Sequence, residues 1–237
     1  MLAHKLIQVS WQGRQQAVAV MDHFEEYFEN FSHRVDGQLN DESCPFGVLL
    51  WPSARILANQ LAAHLPFPST AVLKIYELGC GVGFLSCALA SLLPNSQLIA
   101  CDYEKDLQAF VELNAKLWGV QSQVQFRHID WRQACPPAIQ DSADWVLGAD
   151  VFYDASHVTH LPAFAASILK ASGRLSFAGP ERTHLKQAIE SVAEYFTLLA
   201  SEELYCSTDE DGIEEMMFNK GVREQKITIV HLQKSKS

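Results

Sequence analysis

The chain of 237 residues has no two cysteines in C-x-x-C spacing and no His/Cys cluster spaced like a zinc site. Its six cysteines, Cys44, Cys80, Cys87, Cys101, Cys135 and Cys206, stand singly. Several lie inside apolar runs, where cysteine behaves as a small hydrophobe. That usage points to a reducing compartment, so a cytoplasmic location is expected. No apolar stretch approaches the roughly 18 residues a membrane span needs. The N-terminus has no uninterrupted apolar signal core. Its first 21 residues do hold Lys5 and Arg14 and no acid, a composition that an organelle-targeting segment shares. There is no block of Lys or Arg and no basic–aromatic interleaving. With 18 basic and 28 acidic residues the net charge is −10, the opposite of a nucleic-acid-binding face. Internal repeats and low-complexity tracts are also missing.

What is there is ordinary for a globular protein: 48% hydrophobic and 19% charged residues, enough chain for one large domain with a sizeable core. The organising stretch is IYELGCGVG, Ile75 to Gly83. An apolar run ends at Glu77 and Leu78, glycines follow at Gly79, Gly81 and Gly83, and Phe84 to Leu93 has helical length and composition. This reads as a buried parallel strand, a tight turn and a helix. Glycine belongs where the backbone takes positive φ or must approach a ligand. The helix start offers free N–H groups and partial positive charge.

The spacing is G-x-G-x-G, not the G-x-G-x-x-G of dinucleotide sites, and an acid, Glu77, precedes it. The next apolar run, Gln97 to Cys101, ends in Asp102, about twenty residues beyond the turn, where an acid can accept both hydroxyls of a ribose. The expected ligand is a nucleoside with a cationic end rather than a pyrophosphate.

With ELGCGVG at 77–83 and CDY at 101–103, the chain resembles the seven-strand S-adenosylmethionine-dependent methyltransferases. The resemblance covers residue 44 to the C-terminus. It implies that the glycine turn (Glu77, Gly79, Gly81, Gly83) holds the methionine part of the cofactor, with Asp102 and its neighbour Tyr103 at the ribose. It implies an α/β fold, a doubly wound Rossmann-like sheet of seven strands, mostly parallel and closed by a C-terminal antiparallel hairpin. Residues 44–237 would form this domain, and residues 1–43 a hairpin-and-helix extension packed on it.

Taken in order, Leu6 to Trp11 and Ala17 to Met21 flank Gln12-Gly13 and read as a hairpin. Asp22 is placed to cap a helix carrying Phe24, Tyr27, Phe28 and Phe31. Asp36 to Ser43 is polar and loop-like. Ser53 to Leu65 is a helix with Ser53 as cap, stopped by Pro66 and Pro68. The pattern Gly47-x-x-x-Trp51-Pro52 ahead of that helix, followed by the glycine turn, resembles the protein N-lysine methyltransferase branch. By that resemblance Trp51 lines the cofactor or lysine channel; plain packing is the competing reading. Lys105 to Trp118 has a helical period, with Asn114 on its exposed side by pattern. Val124 to His128 is a strand leading to Asp130 and Trp131. In the superfamily an acid here holds the adenine amine and an aromatic covers the ring.

Ala143 to Ala149 is the next strand, ending in GADVFYD. Ligands bind outside the carboxyl ends of such strands, which places Ala149 beside the cofactor and Asp150 at the reacting end. Asp150-x-x-Tyr153 resembles the motif after this strand in the lysine methyltransferase branch. It departs from the N-P-P-Y of enzymes that methylate glutamine side chains or base amines. Asp150 and Tyr153 are therefore the candidate catalytic residues. His160 to Lys170, Arg174 to Ala178, His184 to Tyr195, Phe196 to Leu204 and Gln225 to Leu232 alternate as helices and strands, with a break at Gly179-Pro180. Ser207 to Glu215 is an acidic insert, either a solvated loop or a rim that draws in a basic substrate.

The expectation is a methyltransferase that converts S-adenosyl-L-methionine to S-adenosyl-L-homocysteine without a metal. Its expected partner is a protein substrate presenting a lysine, with no nucleic acid or membrane partner. The sequence leaves the oligomeric state open and favours a monomer. A small-molecule amine or another protein side chain as acceptor, or a non-catalytic binding module on the same fold, remain open alternatives.

Overall fold

The computed structural model describes residues 2–24, 26–27, 46–181, 183–207 and 224–235. Phe28, Phe31, Cys44, the polar stretch 36–43, the acidic insert at 208–215 and Gly221 lie outside the described residues.

Strands β1 (His4–Trp11) and β2 (Arg14–Met21) pair antiparallel in a sheet of their own. Gln12 and Gly13 join them at φ 49° and 73°. Two positive φ values in a two-residue loop match the right-handed twist of the flanking strands. The helical turn that follows starts at His23, whose carbonyl accepts from Tyr27 N at 3.1 Å. Asp22 is not its cap, because its Oδ1 takes the N–H of the adjacent His23.

The main sheet contains β3 (Lys74–Leu78), β4 (Gln97–Asp102), β5 (Val124–His128), β6 (Ala143–Ala149), β7 (Leu169–Pro180), β8 (Phe196–Ser207) and β9 (Glu224–Lys234). Their order is β5-β4-β3-β6-β7-β9-β8. The first five run parallel, and β9 lies antiparallel between β7 and β8. This is the expected doubly wound sheet with a C-terminal antiparallel pair.

Two apolar clusters cover the two faces, and the period of two along each strand sorts side chains between them. Ile75, Trp145 and Leu147 face α1 (Pro52–Ala63), α2 (Phe84–Leu92) and α3 (Gln108–Leu117). Tyr76, Leu78 and Val146 face α4 (Ala155–Ile168) and α5 (Thr183–Ser191). The first cluster also takes in Val9, Trp11 and Val18 to Met21 of the hairpin, with Phe24 beside them. Among the described residues no helix is long and apolar enough to cross a membrane.

Several expectations shift. Helix α1 begins at Pro52, with Trp51 as its N-cap residue and no side-chain cap. Ser53 is therefore inside the first turn, and its buried hydroxyl has no hydrogen-bond partner. Proline at the first helical position needs no N–H partner, and this sets the start one residue early. Helix α4 begins at Ala155 rather than His160, because Asp154 caps it by accepting from Ser156 N at 2.7 Å. Strand β7 runs through Gly179 to Pro180, which still pairs with Ile227. Helix α5 ends at Ser191, and a short 3-10 turn follows it.

Asn114 is the largest correction. It is fully buried rather than exposed. Leu107, Val111, Asn114 and Trp118 lie three or four residues apart, a continuous stripe; Leu107 and Val111 meet Gly47 and Gly83, and the hairpin packs over Asn114 and Trp118. Leu117, beside this stripe, is at the exposed edge.

Candidate functional site

The strand order reverses between β3 and β6, and the chain leaving their carboxyl ends turns to opposite faces of the sheet. A cavity of about 1030 Å³, part of it open to solvent, occupies this switch point. Its walls come from the segment opening α1, the glycine turn, Asp102 to Glu104, Trp131, and Ala149 to Tyr153.

The turn is built for close backbone approach. Gly81 sits at φ 50°, and a Cβ there would lie 2.7 Å from the Gly47 carbonyl oxygen. Any larger residue collides with the protein's own backbone, apart from any ligand. Gly47, carried by the segment ahead of Trp51, packs directly on the turn. Gly79 and Gly81 border the cavity; Gly83 does not, and packs on Val111 instead.

Glu77 is buried on the α2 side of β3. Its Oε2 accepts from Ser86 N at 2.9 Å and from the Ser86 hydroxyl. Burial nonetheless pushes its carboxyl up to about 8. Asp102 ends β4. Its Oδ2 accepts from Gly81 N at 3.0 Å and its Oδ1 from Glu104 N at 3.1 Å. Burial raises it to about 6 against those bonds. Glu104, also on the wall, is raised by burial and by nearby Asp106.

Trp51 lines the cavity, donates Nε1 to the Phe46 carbonyl at 2.9 Å and meets the Phe46 ring edge-on at 5.7 Å. Trp131 also lines the cavity, and its buried Nε1 has no hydrogen-bond partner. Asp130 does not reach the cavity wall. Burial opposes its ionisation, but its two oxygens accept from Arg132 at 2.8 Å and 3.0 Å, and its carboxyl ends below the usual range. Arg132 in turn lies 5.0 Å from the centre of the Tyr103 ring.

Ala149, Asp150 and Tyr153 are together on the β6 side. Asp150 is left-handed at φ 56°, its N–H held by the Ala178 carbonyl at 2.8 Å. Non-glycine residues in this region are uncommon, and such strain gathers at functional sites. The Tyr153 hydroxyl bonds that of Tyr103, and burial pushes both phenols up.

The sequence reading missed His157, one turn into α4. It is buried, and its Nδ1 donates to the Val151 carbonyl at 2.8 Å. Its ring packs edge-on against Tyr153 at 4.7 Å and Trp131 at 5.3 Å. It thus fixes the loop that carries Asp150 and both walls beside it. Its spacing four residues after Tyr153 on a capped helix was the available signal. Glu104 and Gly47 were missed as wall residues too.

The residues fit the expected cofactor. Gly79 and Gly81 border the cavity together with Cys80 and Val82, a buried acid ends the next strand, and a buried indole N–H on the wall has no partner. Among the described residues no group of three His, Cys, Asp or Glu side chains is placed to hold a metal.

Comparison with known proteins bears on the family and the fold. Over 134 residues the chain is 28% identical to the protein-lysine methyltransferase METTL21E of Mus musculus, covering 54% of this chain and 53% of the mouse protein. The chain thus spans about half the length of that curated relative. In fold it resembles the [4+2]-cyclase SpnF, with a TM-score of 0.61 and 15% identity, covering 78% of this chain and 81% of that one. A geranyl diphosphate C-methyltransferase from Streptomyces coelicolor, solved with Mg2+, geranyl diphosphate and S-adenosyl-L-homocysteine, aligns with a TM-score of 0.57 and 13% identity, over 76% and 79% of the two chains. A profile described as lysine methyltransferase matches residues 37–202. With that span covering most of the chain, the protein belongs to the lysine methyltransferase family.

Proposed function

We propose that this protein transfers a methyl group from S-adenosyl-L-methionine to a lysine side chain of a protein substrate, leaving S-adenosyl-L-homocysteine. The observation that carries the reading is the charge of the cavity. Asp102, Glu104 and Asp150 line it, with Glu77 a fourth acid that keeps its proton up to about pH 8 until a cation arrives, and among the described residues no Lys, Arg or His lines it. Such a wall attracts a sulfonium and an ammonium and disfavours a polyphosphate ligand. The membership of the lysine methyltransferase family supports the same acceptor.

S-Adenosylmethionine supplies the electrophilic methyl. The chain's part is to hold and orient. In this reading the glycine turn and Glu77 take the methionine end, Asp102 and Glu104 the ribose, and Trp131 the adenine. Asp130 acts at one remove, through Arg132 on Tyr103. Trp51 forms part of the wall. A lysine amine has to be neutral to attack, and its unperturbed pKa is about 10.4. The Asp150 carboxylate accepts a hydrogen bond from the neutral amine and so aims its lone pair. Tyr153 forms the wall and offers its oxygen once the bond to Tyr103 yields. Alignment of nucleophile and methyl then carries the rate.

The test is transfer of labelled methyl into a proteome from cells lacking the protein, read by mass spectrometry. Methyllysine in a protein supports the reading. Label confined to small molecules, or to another side chain, overturns the acceptor assignment.

A further inference from the structure

The hairpin β1–β2 lies outside the residues matched by the family profile and does not reach the cavity. It is nevertheless tied to the cofactor turn. The inner edge of β2 pairs with β1, while its outer edge is taken by side chains of α3 instead of another strand. The Asn114 Oδ1 accepts from Ala19 N at 2.7 Å, and its Nδ2 donates to Ala19 O at 3.0 Å. One turn later Trp118 Nε1 donates to Ala17 O at 3.0 Å. These bonds close the edge of β2, whose backbone groups need partners once buried.

Asn114 has a second amide hydrogen, and it goes to the Val82 carbonyl at 2.9 Å. Val82 stands between Gly81 and Gly83 and lines the cavity. Trp118 makes a parallel link. Its ring packs edge-on against Phe84 at 5.6 Å, and Phe84 also lines the cavity. Trp11 of β1 lies 6.1 Å from Trp118 and donates Nε1 to Ser91 of α2 at 3.1 Å. Two side chains on one face of α3 thus connect the hairpin to both ends of the stretch from Val82 to Phe84.

We propose that Asn114 is a positioning residue for the cofactor turn, and that the hairpin is the element that holds Asn114 in place. The planar amide can reach Val82 only in one rotation, and the two bonds to Ala19 select it. Without Ala19 the amide is free to turn, and the Val82 carbonyl loses its fixed direction. A turn of glycines at positive φ has little stiffness of its own. Cofactor affinity therefore depends on residues 4–21, which never touch the ligand. The proposal rests on the cavity being the S-adenosylmethionine site.

The experiment uses the full chain and S-adenosylhomocysteine as probe, by titration calorimetry below the melting transition of every variant. Asn114→Ala should weaken binding roughly tenfold, the equivalent of one lost hydrogen bond. Amide hydrogen exchange at Gly81 and Gly83 should speed up in the same variant without ligand. Leu161→Ala, in the core on the opposite face, serves as comparator, matched for loss of melting temperature. It should leave the dissociation constant unchanged. Equal weakening by Leu161→Ala, or parent-like affinity and exchange in Asn114→Ala, overturns the proposal. Should Asn114→Ala not fold, Trp118→Phe decides, since it keeps an aromatic ring beside Phe84 and removes the bond to Ala17. Faster exchange in the turn with weaker binding supports the proposal, and parent values overturn it. If the parent chain itself fails to bind, the cofactor reading falls, and the exchange comparison alone judges the link from hairpin to turn.

Discussion

The carboxyl of Glu77, inside the sheet, is met by both the backbone N–H and the hydroxyl of Ser86, nine residues on in the first turns of α2. The strand before the glycine turn is thereby bonded to the helix after it, and the acid stays at the positive end of that helix. Burial still dominates and leaves the proton bound up to about pH 8.

That balance gives a pH dependence. Glu77 rises from 4.5 to about 8 on folding, and Asp102 from 3.8 to about 6. The folded state binds these protons more tightly than the unfolded state, so stability falls as pH rises through the interval. The melting temperature of the ligand-free protein should decline from pH 6 to pH 8.5, and Glu77→Gln should flatten the slope. A cationic ligand favours the ionised acids. S-Adenosylmethionine should therefore bind more tightly as pH rises from 6 to 8, with proton release. Calorimetry in buffers of different ionisation enthalpy measures that release; proton uptake would contradict the sign.

Asp102→Ala should weaken S-adenosylhomocysteine binding by roughly 1.5–3 kcal/mol, the loss typical of a charged acceptor. Part of this arises without the ligand, since Gly81 N and Glu104 N both lose their acceptor. Calorimetric titration checks it, and a parent-like dissociation constant would remove Asp102 from the site.

Asp150→Asn preserves the shape, and asparagine also tolerates the left-handed backbone found at φ 56°. If the carboxylate orients the amine, turnover should fall by a factor on the order of 10², with little change in cofactor affinity. Kinetics on the identified substrate, set beside titration with S-adenosylhomocysteine, separate the two. An equal loss of both makes Asp150 a cofactor ligand or a fold element.

His157→Phe keeps a ring against Tyr153 and Trp131 and removes the donor to Val151. An unpaired buried carbonyl costs about 1–3 kcal/mol, which lowers the melting temperature on the order of 5 °C for a chain of this size. The loop carrying Asp150 should loosen, so kcat should fall more than S-adenosylhomocysteine affinity. Thermal melts, kinetics and titration on one preparation check all three; unchanged kcat would reduce His157 to packing.

Gly81→Ala should abolish cofactor binding and lower the melting temperature together. The new Cβ meets the Gly47 carbonyl oxygen at 2.7 Å, and the positive φ strains any side chain. A variant that melts like the parent but does not bind would place the clash with the ligand alone.

Much of this was legible in one dimension because the signals are local. An apolar run, alternate glycines and an acid about twenty residues later describe a strand, a turn and a second strand end. The backbone requirements of such a turn are met by residue type alone. Asp150-x-x-Tyr153 was legible in the same way, as a strand end.

Pairings between distant residues were not legible. Asp130 has the right type and place for a ligand, yet Arg132 occupies it, a choice that depends on how the loop folds back. Ser53 has the residue type of a cap, but the helix begins one residue earlier and encloses its hydroxyl. Asn114 reads as an exposed polar residue until the hairpin, 95 positions earlier in the chain, covers it and supplies its partners.

The sequence by itself determined the parallel sheet, the glycine turn and the acids at the ends of its strands, since periodicity and residue type act over a few neighbours. Only the tertiary structure decided which of those acids face the cavity, which are held by other side chains, and that a hairpin outside the matched region ties down the turn. Burial and hydrogen-bond partners belong to the packed chain, and both the titration of Glu77 and the role of Asn114 arise from them.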